Sequence, residues 1–382
     1  MKILIASDSF KNSLSSHNVA NAIEIGFKRV LDYFEYEKVP LADGGEGTID
    51  SLKDSIKNYE EIEVDVLNPL EEKIKAKYIL TDDNTAVIEM AKSTGIELVK
   101  EENRDILNST SFGFGQQIAD AVKKGAKDII LTIGSSATND VGIGMLQALG
   151  VKFYDEHNEE ISHKKILTAK DIYKIENFDI SSLKKFIDIN FVVACDVDNP
   201  LTGKNGATYT FAKQKGASAD DILFLEESIL KYSNICEKRL QQKVHNEKGT
   251  GAAGGVGFAL QAFLKAKSRS GIQTIIEFIN LEEKIANSDL IITGEGRVDE
   301  QTIYGKTIMG VLNIAKKYDK PVIIIAGGLD EGYEKLYSYG ASAIYDITPI
   351  SKPLEELLPH TEKNLISTAY AIANTLAIDI NK

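Results

Sequence analysis

Charged side chains that could bind phosphate or carboxylate groups follow several short apolar runs along this chain. Glu295, Arg297 and Asp299 come directly after the run Leu290–Ile292, whose pattern is typical of a buried strand. Arginine binds a phosphate or a carboxylate through two parallel hydrogen bonds, and carboxylates hold Mg²⁺ or orient a hydroxyl group. The three residues therefore suit an anionic substrate, although an internal salt bridge or a turn would use the same residue types.

Two more charged residues occupy comparable positions. Lys11 follows the apolar run Lys2–Ala6, where it could clamp a substrate or be a solvated charge at the start of a helix. Asp196 follows the strand-like run Phe191–Ala194 and is better placed for chemistry than Asp198, which precedes an Asn-Pro turn. For Lys11 the catalytic and the structural interpretation both stay open.

Glycine is concentrated in a few loops that begin or bridge the apparent elements. It lets backbone amides approach a ligand closely, and a helix that follows points its free N–H groups at an anion. One such loop is usually an ordinary tight turn, but several that carry acids or hydroxyls favour a phosphate site. Lys213 and Lys215 could neutralise a polyphosphate or face water. The glycine-rich loops cover residues 43–48, 134–140, 249–255, 294–299 and 327–328.

Two apparent nucleotide-binding motifs fail because of their context. Gly305-Lys306-Thr307 resembles the end of a P-loop, but the first glycine of that motif would have to stand where Glu300 stands. Residues 249–254 match G-x-G-x-x-G, but they follow a polar segment rather than a strand, so dinucleotide binding is disfavoured. A phosphate-binding loop that opens a helix over 255–264 and close packing by small residues both stay open.

The composition excludes several classes of protein. The 382 residues include 44 Lys and Arg against 57 Asp and Glu, so the formal net charge is −13, which argues against a nucleic-acid partner. No apolar stretch approaches the roughly 18 residues of a membrane span, and we expect no signal peptide. Cys195 and Cys236 form no disulfide or metal framework, and the five histidines lack zinc-type spacing. We expect a cytoplasmic protein that binds no membrane.

Short buried strands alternate with helices at both ends of the chain. The three- and four-residue spacing of apolar residues from Val19 to Leu31 predicts a helix, which Ser15 or Ser16 caps. Together the two ends give five buried strands, which suit a flavodoxin-like, doubly wound parallel sheet. The predicted strands are Lys2–Ala6, Glu37–Leu41, Leu290–Ile292, Val322–Ala326 and Ala343–Ile347.

The middle of the chain has a different pattern. Ile62–Val66 and Lys73–Ile79 alternate strictly, as antiparallel strands with one solvated face do, and Thr85–Met90 predicts a third strand. Further predicted elements are strands at 128–133 and 191–194 and helices at 141–149 and 220–243.

These patterns predict an α/β protein in which one domain interrupts another. The flavodoxin-like domain comprises residues 1–42 and 271–382, and the inserted mixed α/β domain comprises residues 43–270. We expect the active site in the cleft between them, where the carboxyl ends of parallel strands open.

Taken together and in this order, the motifs resemble those of the bacterial type I glycerate kinases, nearly from end to end. No single motif is decisive, but the set is specific. The resembling stretches are Asp8–Lys11 with Ser13–Ser15, Ala42–Thr48, Ser136–Asp140, Asp198–Leu201 with Gly203, Gln214–Ala217, Gly251–Gly255, and Gly294–Asp299 through Gln301, Thr302, Gly305 and Lys306. The chain departs from the family at Asn12, Ser135 and Val141, where glycine is usual, and at Ala212-Lys213, which replaces Gly-Pro.

The resemblance implies an ATP-dependent kinase that acts on a hydroxyl of D-glycerate with Mg²⁺, gives ADP and favours 2-phosphoglycerate. It implies small-molecule partners, with a homodimer as one option. A nicotinamide-linked oxidoreductase of a small hydroxy acid and a non-catalytic sugar-acid sensor stay as alternatives.

Site residues are expected in three roles, with Asp196 the first choice of base. The catalytic set is Asp196, Arg297, Lys11 and Asp43; the substrate- and phosphate-binding set is Ser9, Glu46, Ser136, Asn139, Lys215, Gly251, Gly254, Gly255 and Lys306; the metal set is Asp140, Glu295 and Asp299.

Overall fold

The structure, a computed structural model, describes residues 1–42, 47–53, 55–56, 58–303, 307–350 and 352–378. Its strands are β1 (Lys2–Ile5), β2 (Glu35–Lys38), β3 (Tyr59–Leu67), β4 (Lys73–Thr81), β5 (Thr85–Glu89), β6 (Asp128–Thr132), β7 (Lys152–Tyr154), β8 (Asn177–Asp179), β9 (Asn190–Ala194), β10 (Lys267–Arg269), β11 (Leu290–Thr293), β12 (Val322–Ala326) and β13 (Ala341–Asp346). Its α-helices are α1 (Ser16–Lys28), α2 (Thr48–Leu52), α3 (Ala91–Thr94), α4 (Phe112–Lys123), α5 (Ile143–Ala148), α6 (Ala207–Phe211), α7 (Ala219–Leu240), α8 (Val256–Leu264), α9 (Gly271–Phe278), α10 (Leu281–Ala286), α11 (Thr307–Lys317), α12 (Leu354–Leu357) and α13 (Thr361–Leu376).

The chain forms two compact units. Unit 1 comprises Met1–Asp43, Asp50–Lys57 and Gly271–Lys382, and unit 2 comprises Gly44–Ile49 and Asn58–Ser270. The expected active-site cleft between two domains stays a prediction.

Unit 1 is built on a parallel sheet in the order β13-β12-β11-β1-β2. Numbered along the chain within this unit, the order is 2-1-3-4-5, which is that of flavodoxin-like folds. Every neighbouring pair among these strands is parallel. The predicted fold class is therefore confirmed, and the order reverses between β1 and β11, where such sheets bind ligands.

Both faces of the unit 1 sheet are covered, as an all-parallel sheet requires. Ile3 and Ile5 pack in a cluster with α1 and α13, while the side chain of Leu4 points to the opposite face and is equally buried. Helix α1 begins where its sequence indicates, because Ser15 Oγ accepts a hydrogen bond from Asn18 N–H at 3.3 Å.

The second strand of unit 1 starts earlier than the sequence predicts. It covers Glu35–Lys38 instead of residues 37–41, because the pairing with β1 ends at Lys38. The chain stays extended beyond it, since Val39 N–H donates to Ile5 O at 2.8 Å and Leu41 N–H donates to Ser7 O at 2.9 Å. The apolar pattern that predicted the strand therefore reflects burial beyond its end.

Unit 2 contains a mixed sheet in the order β10-β9-β6-β5-β4-β3. Strands β3, β4 and β5 are antiparallel, as the alternation in β3 and β4 predicts, whereas β5, β6, β9 and β10 run parallel. The short strands β10, β7 and β8 were not predicted, and β10 is exposed throughout, so it carries no apolar signal.

The long helix α7 matches its prediction closely. It covers Ala219–Leu240, and Ser218 caps it reciprocally with Asp221. It ends before the predicted residue 243 because Gln241 adopts a left-handed conformation, with φ at 53°. No helix among the described residues combines the length and apolar character that crossing a bilayer requires.

Candidate active site

A cavity of about 670 Å³ lies in unit 1, lined by residues that follow the carboxyl ends of β1, β11, β12 and β13. Parallel strands all end at one edge of the sheet, so their following loops converge there. The cavity therefore brings together Ser9, Lys11, Glu295 and Arg297, four of the predicted site residues.

Asp8 is held at the base of this loop cluster by contacts from three segments. Its N–H donates to Gly294 O at 2.9 Å, and its Oδ1 accepts from Ser9 N–H at 2.6 Å. Its Oδ2 accepts from Thr307 Oγ1 at 2.8 Å. Because Thr307 begins α11, the carboxylate lies near the positive end of a helix.

Glu295 combines a buried position with neighbouring acidic groups. Burial raises the pKa of its carboxyl to about 7, with Asp8 and Asp299 raising it further and a hydrogen bond from Thr302 opposing the rise. Thr302 Oγ1 donates to Glu295 Oε1 at 3.0 Å. At neutral pH this carboxyl therefore exists in both protonation states and can accept or donate a hydrogen bond.

Arg297 extends into the cavity with 70% of its side chain exposed. It forms an ion pair with Asp330, and its Nε lies 3.6 Å from Asp299 Oδ2. Because exposed ion pairs contribute little stability, the main effect of these contacts is to orient the guanidinium group. Lys11 is a second exposed cation at the same cavity.

The loops after β11 and β12 are in direct backbone contact. Gly327 N–H donates to Glu295 O at 3.0 Å, and Val298 N–H donates to Gly328 O at 3.0 Å. A Cβ atom on Gly327 would lie 2.3 Å from Gly296 O, so only glycine permits this approach. The contact fixes Glu295 and Arg297 relative to the end of β12.

Asp140 lies in unit 2 and its carboxylate is fully buried. Oδ2 accepts hydrogen bonds from Ser111 N–H, Ser111 Oγ and Gly144 N–H at 2.8, 2.7 and 3.2 Å, and Oδ1 accepts from Gly142 N–H at 3.1 Å. Burial raises the pKa of Asp140, and these donors oppose the rise. These four hydrogen bonds hold the Asp140 carboxylate against the loop, and its role as a metal ligand stays a prediction.

Lys215 is a buried cation next to this loop. Its Nζ donates to Ser136 Oγ at 2.9 Å and to Thr138 O at 2.7 Å. Burial lowers the pKa of Lys215 to about 7, and the charge of Asp140 opposes that shift. Lys215 therefore holds the segment 136–138 from within, whereas Lys213 in the same turn is exposed.

The loops 134–141 and 251–255 of unit 2 contact each other through strained backbone. Val141 N–H donates to Gly254 O at 3.0 Å, and a Cβ atom on Gly254 would lie 2.0 Å from Thr138 O. Asn139 Nδ2 donates to Thr208 Oγ1 at 3.1 Å, but Asn139 Oδ1 is buried without a hydrogen-bond partner among the described residues. Buried polar atoms of this kind are costly and are typical of functional segments.

The departures from the family's glycine pattern fall on left-handed backbone. Asn12, Ser135 and Val141 have φ values of 63°, 56° and 48°. Asparagine tolerates this conformation, but a β-branched valine does so only when its surroundings force it. The loops therefore keep the backbone path that glycine would give.

The remaining predicted residues lie elsewhere or outside the description. Asp196 is half-buried on the loop after β9, and Gly251 and Gly255 flank the turn before α8. The residues 43–46 and 304–306 are outside the described part of the chain, and they include Asp43, Glu46 and Lys306. In the described ranges no group of three or more His, Cys, Asp or Glu side chains is arranged to hold a metal ion.

Asp8, Thr307 and Asp330 were not among the predicted site residues. Asp8 and Thr307 are 299 positions apart, so nothing local in the sequence joins them. The signal that could have found Asp8 is its position directly after the first strand, which it shares with Lys11.

The G-x-G-x-x-G match at 249–254 follows turns rather than a strand, in agreement with its rejection as a dinucleotide motif.

A sequence profile of the Glycerate kinase family matches residues 3–377. The chain belongs to the glycerate kinase family.

Individual members of this family resemble the chain over nearly its whole length. A glycerate kinase of Bacillus subtilis (strain 168) is 42% identical over 99% of this chain and 98% of the relative. A glycerate 2-kinase of Escherichia coli (strain K12) is 44% identical with the same coverage. A crystal structure described as that of glycerate kinase 2 from Salmonella typhimurium LT2 superposes with a TM-score of 0.87 at 42% identity, covering 98% of each chain. Glycerate kinases are phosphotransferases, so this member of the family is an enzyme of that class.

In this glycerate kinase family member, Gly327→Ala should disturb the cavity while Gly328→Ala should not. The first Cβ meets a carbonyl at 2.3 Å, whereas the second meets nothing within 4 Å. We expect Gly327→Ala to lower the free energy of unfolding by about 1–3 kcal/mol, as overpacking does. Urea denaturation of both variants measures this, and equal stabilities would contradict the assigned contact.

The buried Lys215 should make stability depend on pH. Its pKa is about 7 when folded against 10.5 when free, so between these values the unfolded chain binds more protons than the folded one. Stability should therefore rise with pH across this window, by up to about 1.4 kcal/mol per unit. Lys215→Met should remove this rise.

Urea denaturation at pH 7, 8 and 9 checks the expected difference between wild type and Lys215→Met. Lys213→Met is the matched control, because that side chain is exposed in the same turn. If all three proteins show parallel pH dependence, Lys215 does not titrate as its burial implies.

Proposed function

We propose that this protein transfers the γ-phosphoryl group of ATP to the 2-hydroxyl of D-glycerate, giving 2-phosphoglycerate and ADP. The observation that carries the proposal is the unit 1 cavity, where Lys11 and Arg297 lie beside the carboxylates of Asp8 and Glu295. The relative named glycerate 2-kinase, 44% identical to this chain, supports both the acceptor and the position of transfer.

Lys11 and Arg297 are assigned to the anions of the reaction. Phosphoryl transfer depends on in-line positioning and on neutralising charge at the phosphoryl oxygens. Both cations line the cavity and are exposed, so they can meet a phosphoryl group or the carboxylate of glycerate. The pair with Asp330 orients the Arg297 guanidinium before the substrate binds, and Ser9 adds a hydroxyl donor at the same cavity.

The glycine-rich loops of unit 2 are assigned to phosphate binding. Gly255 is left-handed and is followed by Val256 at the start of α8, a turn geometry whose successive N–H groups form anion-binding concavities. Ser136, Asn139, Gly251 and Gly254 belong to the same loop pair. Lys215 would act by fixing this pair, because its ammonium group is occupied by Ser136 and Thr138.

Asp196 is our choice of base for the acceptor hydroxyl. It is half-buried directly after β9, where a carboxylate can be shielded and still reach a ligand. Asp43, Glu46 and Lys306 keep their predicted roles.

Glu295, which lines the cavity, and its acidic neighbour Asp299 fit a Mg²⁺ ion that is bound together with substrate phosphates. Mg²⁺ keeps several waters and takes one or two carboxylates together with substrate phosphates, so it needs no group of three protein ligands. Glu295 and its neighbour Asp299 would hold it. When bound, Mg²⁺ supplies neutralising charge to the phosphate oxygens.

Phosphorus NMR of D-glycerate and MgATP with the wild-type protein should detect ADP and 2-phosphoglycerate. Arg297→Ala should lower kcat/KM by about 100-fold or more, because a lost donor to a developing charge costs roughly 3–4 kcal/mol.

Arg29→Ala is the matched control for Arg297→Ala, since Arg29 is exposed in the same unit and lies over the Tyr370 ring instead. Its kcat/KM should stay at the wild-type value. A wild-type protein that forms no phosphoglycerate would refute the proposed function, and equal activity of the two variants would refute the role of Arg297.

A further inference from the structure

The cavity of unit 1 is larger and more apolar than a three-carbon hydroxy acid needs. Its volume of about 670 Å³ is within the range of pockets that enclose drug-sized ligands. Glycerate has no apolar surface to bury. A set of aliphatic and aromatic side chains nevertheless lines the cavity: Phe10, Leu329, Ile347, Leu354, Leu357 and Leu358.

Part of this apolar lining is left open to solvent. Leu354 is 67% exposed, and Leu357 and Leu358 are only half-buried. Removing apolar surface from water is favourable, so a ligand with a flat apolar face that covered these side chains would gain binding energy. The three leucines come from α12 and the turn that follows it.

The apolar lining is held against the charged part of the cavity. Ser13 Oγ donates to Leu358 O at 3.2 Å, which ties the segment after α12 to the loop that carries Lys11. Two polar side chains, Thr348 and Asn364, line the same cavity. An amide such as that of Asn364 offers a donor and an acceptor together, as the hydrogen-bonding edge of a purine requires.

We propose that the lining formed by Leu354, Leu357 and Leu358 binds the purine base of a nucleoside di- or triphosphate, whose phosphates point to Lys11 and Arg297. This inference rests on the proposed function, because it assigns the phosphoryl donor to this cavity. It is also specific, since it predicts that the acceptor acid does not occupy the leucine-lined part.

The absence of tryptophan from the chain allows a direct test. Leu354→Trp introduces a single tryptophan, whose emission can be excited selectively, at an exposed position that accommodates a larger side chain. Leu223→Trp is the matched control, because Leu223 is 57% exposed on α7 in unit 2. Each variant is titrated separately with ADP, D-glycerate and inorganic tripolyphosphate, and ADP binding to each is also measured by calorimetry.

We expect ADP to change the Leu354→Trp fluorescence saturably, while D-glycerate and tripolyphosphate do not, and the control to stay silent. Loss of ADP binding in Leu354→Trp alone, with an unchanged melting temperature, would support the same assignment. A response to D-glycerate or to tripolyphosphate alone would overturn it, as would silence despite calorimetric ADP binding, or no ADP binding to the wild type. If the ADP response is present but wild-type protein forms no phosphoglycerate, the proposed function fails and this assignment stands.

Discussion

Parallel pairing in the unit 1 sheet is the constraint on which the candidate site depends. Because β1, β11, β12 and β13 run in the same direction, the loops after them all leave from one edge. Asp8, Glu295 and Arg297 come from segments nearly 300 residues apart and still line or border one cavity. The close approach of Gly327 to Gly296 then fixes the spacing of two of these loops. The order and direction of the strands therefore determine which side chains meet at the site.

In unit 2, buried charged side chains hold a loop in place. Asp140 and Lys215 are both removed from solvent, which is costly for each, and both form hydrogen bonds within the loop 136–144. That loop includes Val141 in a left-handed conformation, which costs on the order of 1–2 kcal/mol. The buried hydrogen bonds offset this strain. The buried polar groups therefore determine the backbone path of the loop as well as the charge beside it.

The sequence predicted those parts of the molecule whose signal is local. Alternation and apolar runs found every strand of the two main sheets except β10, and Lys11 and Arg297 were singled out because each follows such a run. The burial of individual charged side chains, and the contacts between residues far apart in the chain, were not predictable. The sequence does not show that Asp140 accepts two hydrogen bonds from Ser111, which lies 29 positions earlier. Strand β10 consists of exposed polar residues, so only its neighbour β9 identifies it as a strand.

The central claim is that the carboxyl edge of the unit 1 sheet binds the reacting anions. A crystal structure of the protein grown with ADP and D-glycerate tests it most directly. The account predicts ligand phosphate or carboxylate oxygens within hydrogen-bond distance of the side-chain nitrogens of Lys11 and Arg297. Both ligands bound with neither side chain in contact with them would contradict it.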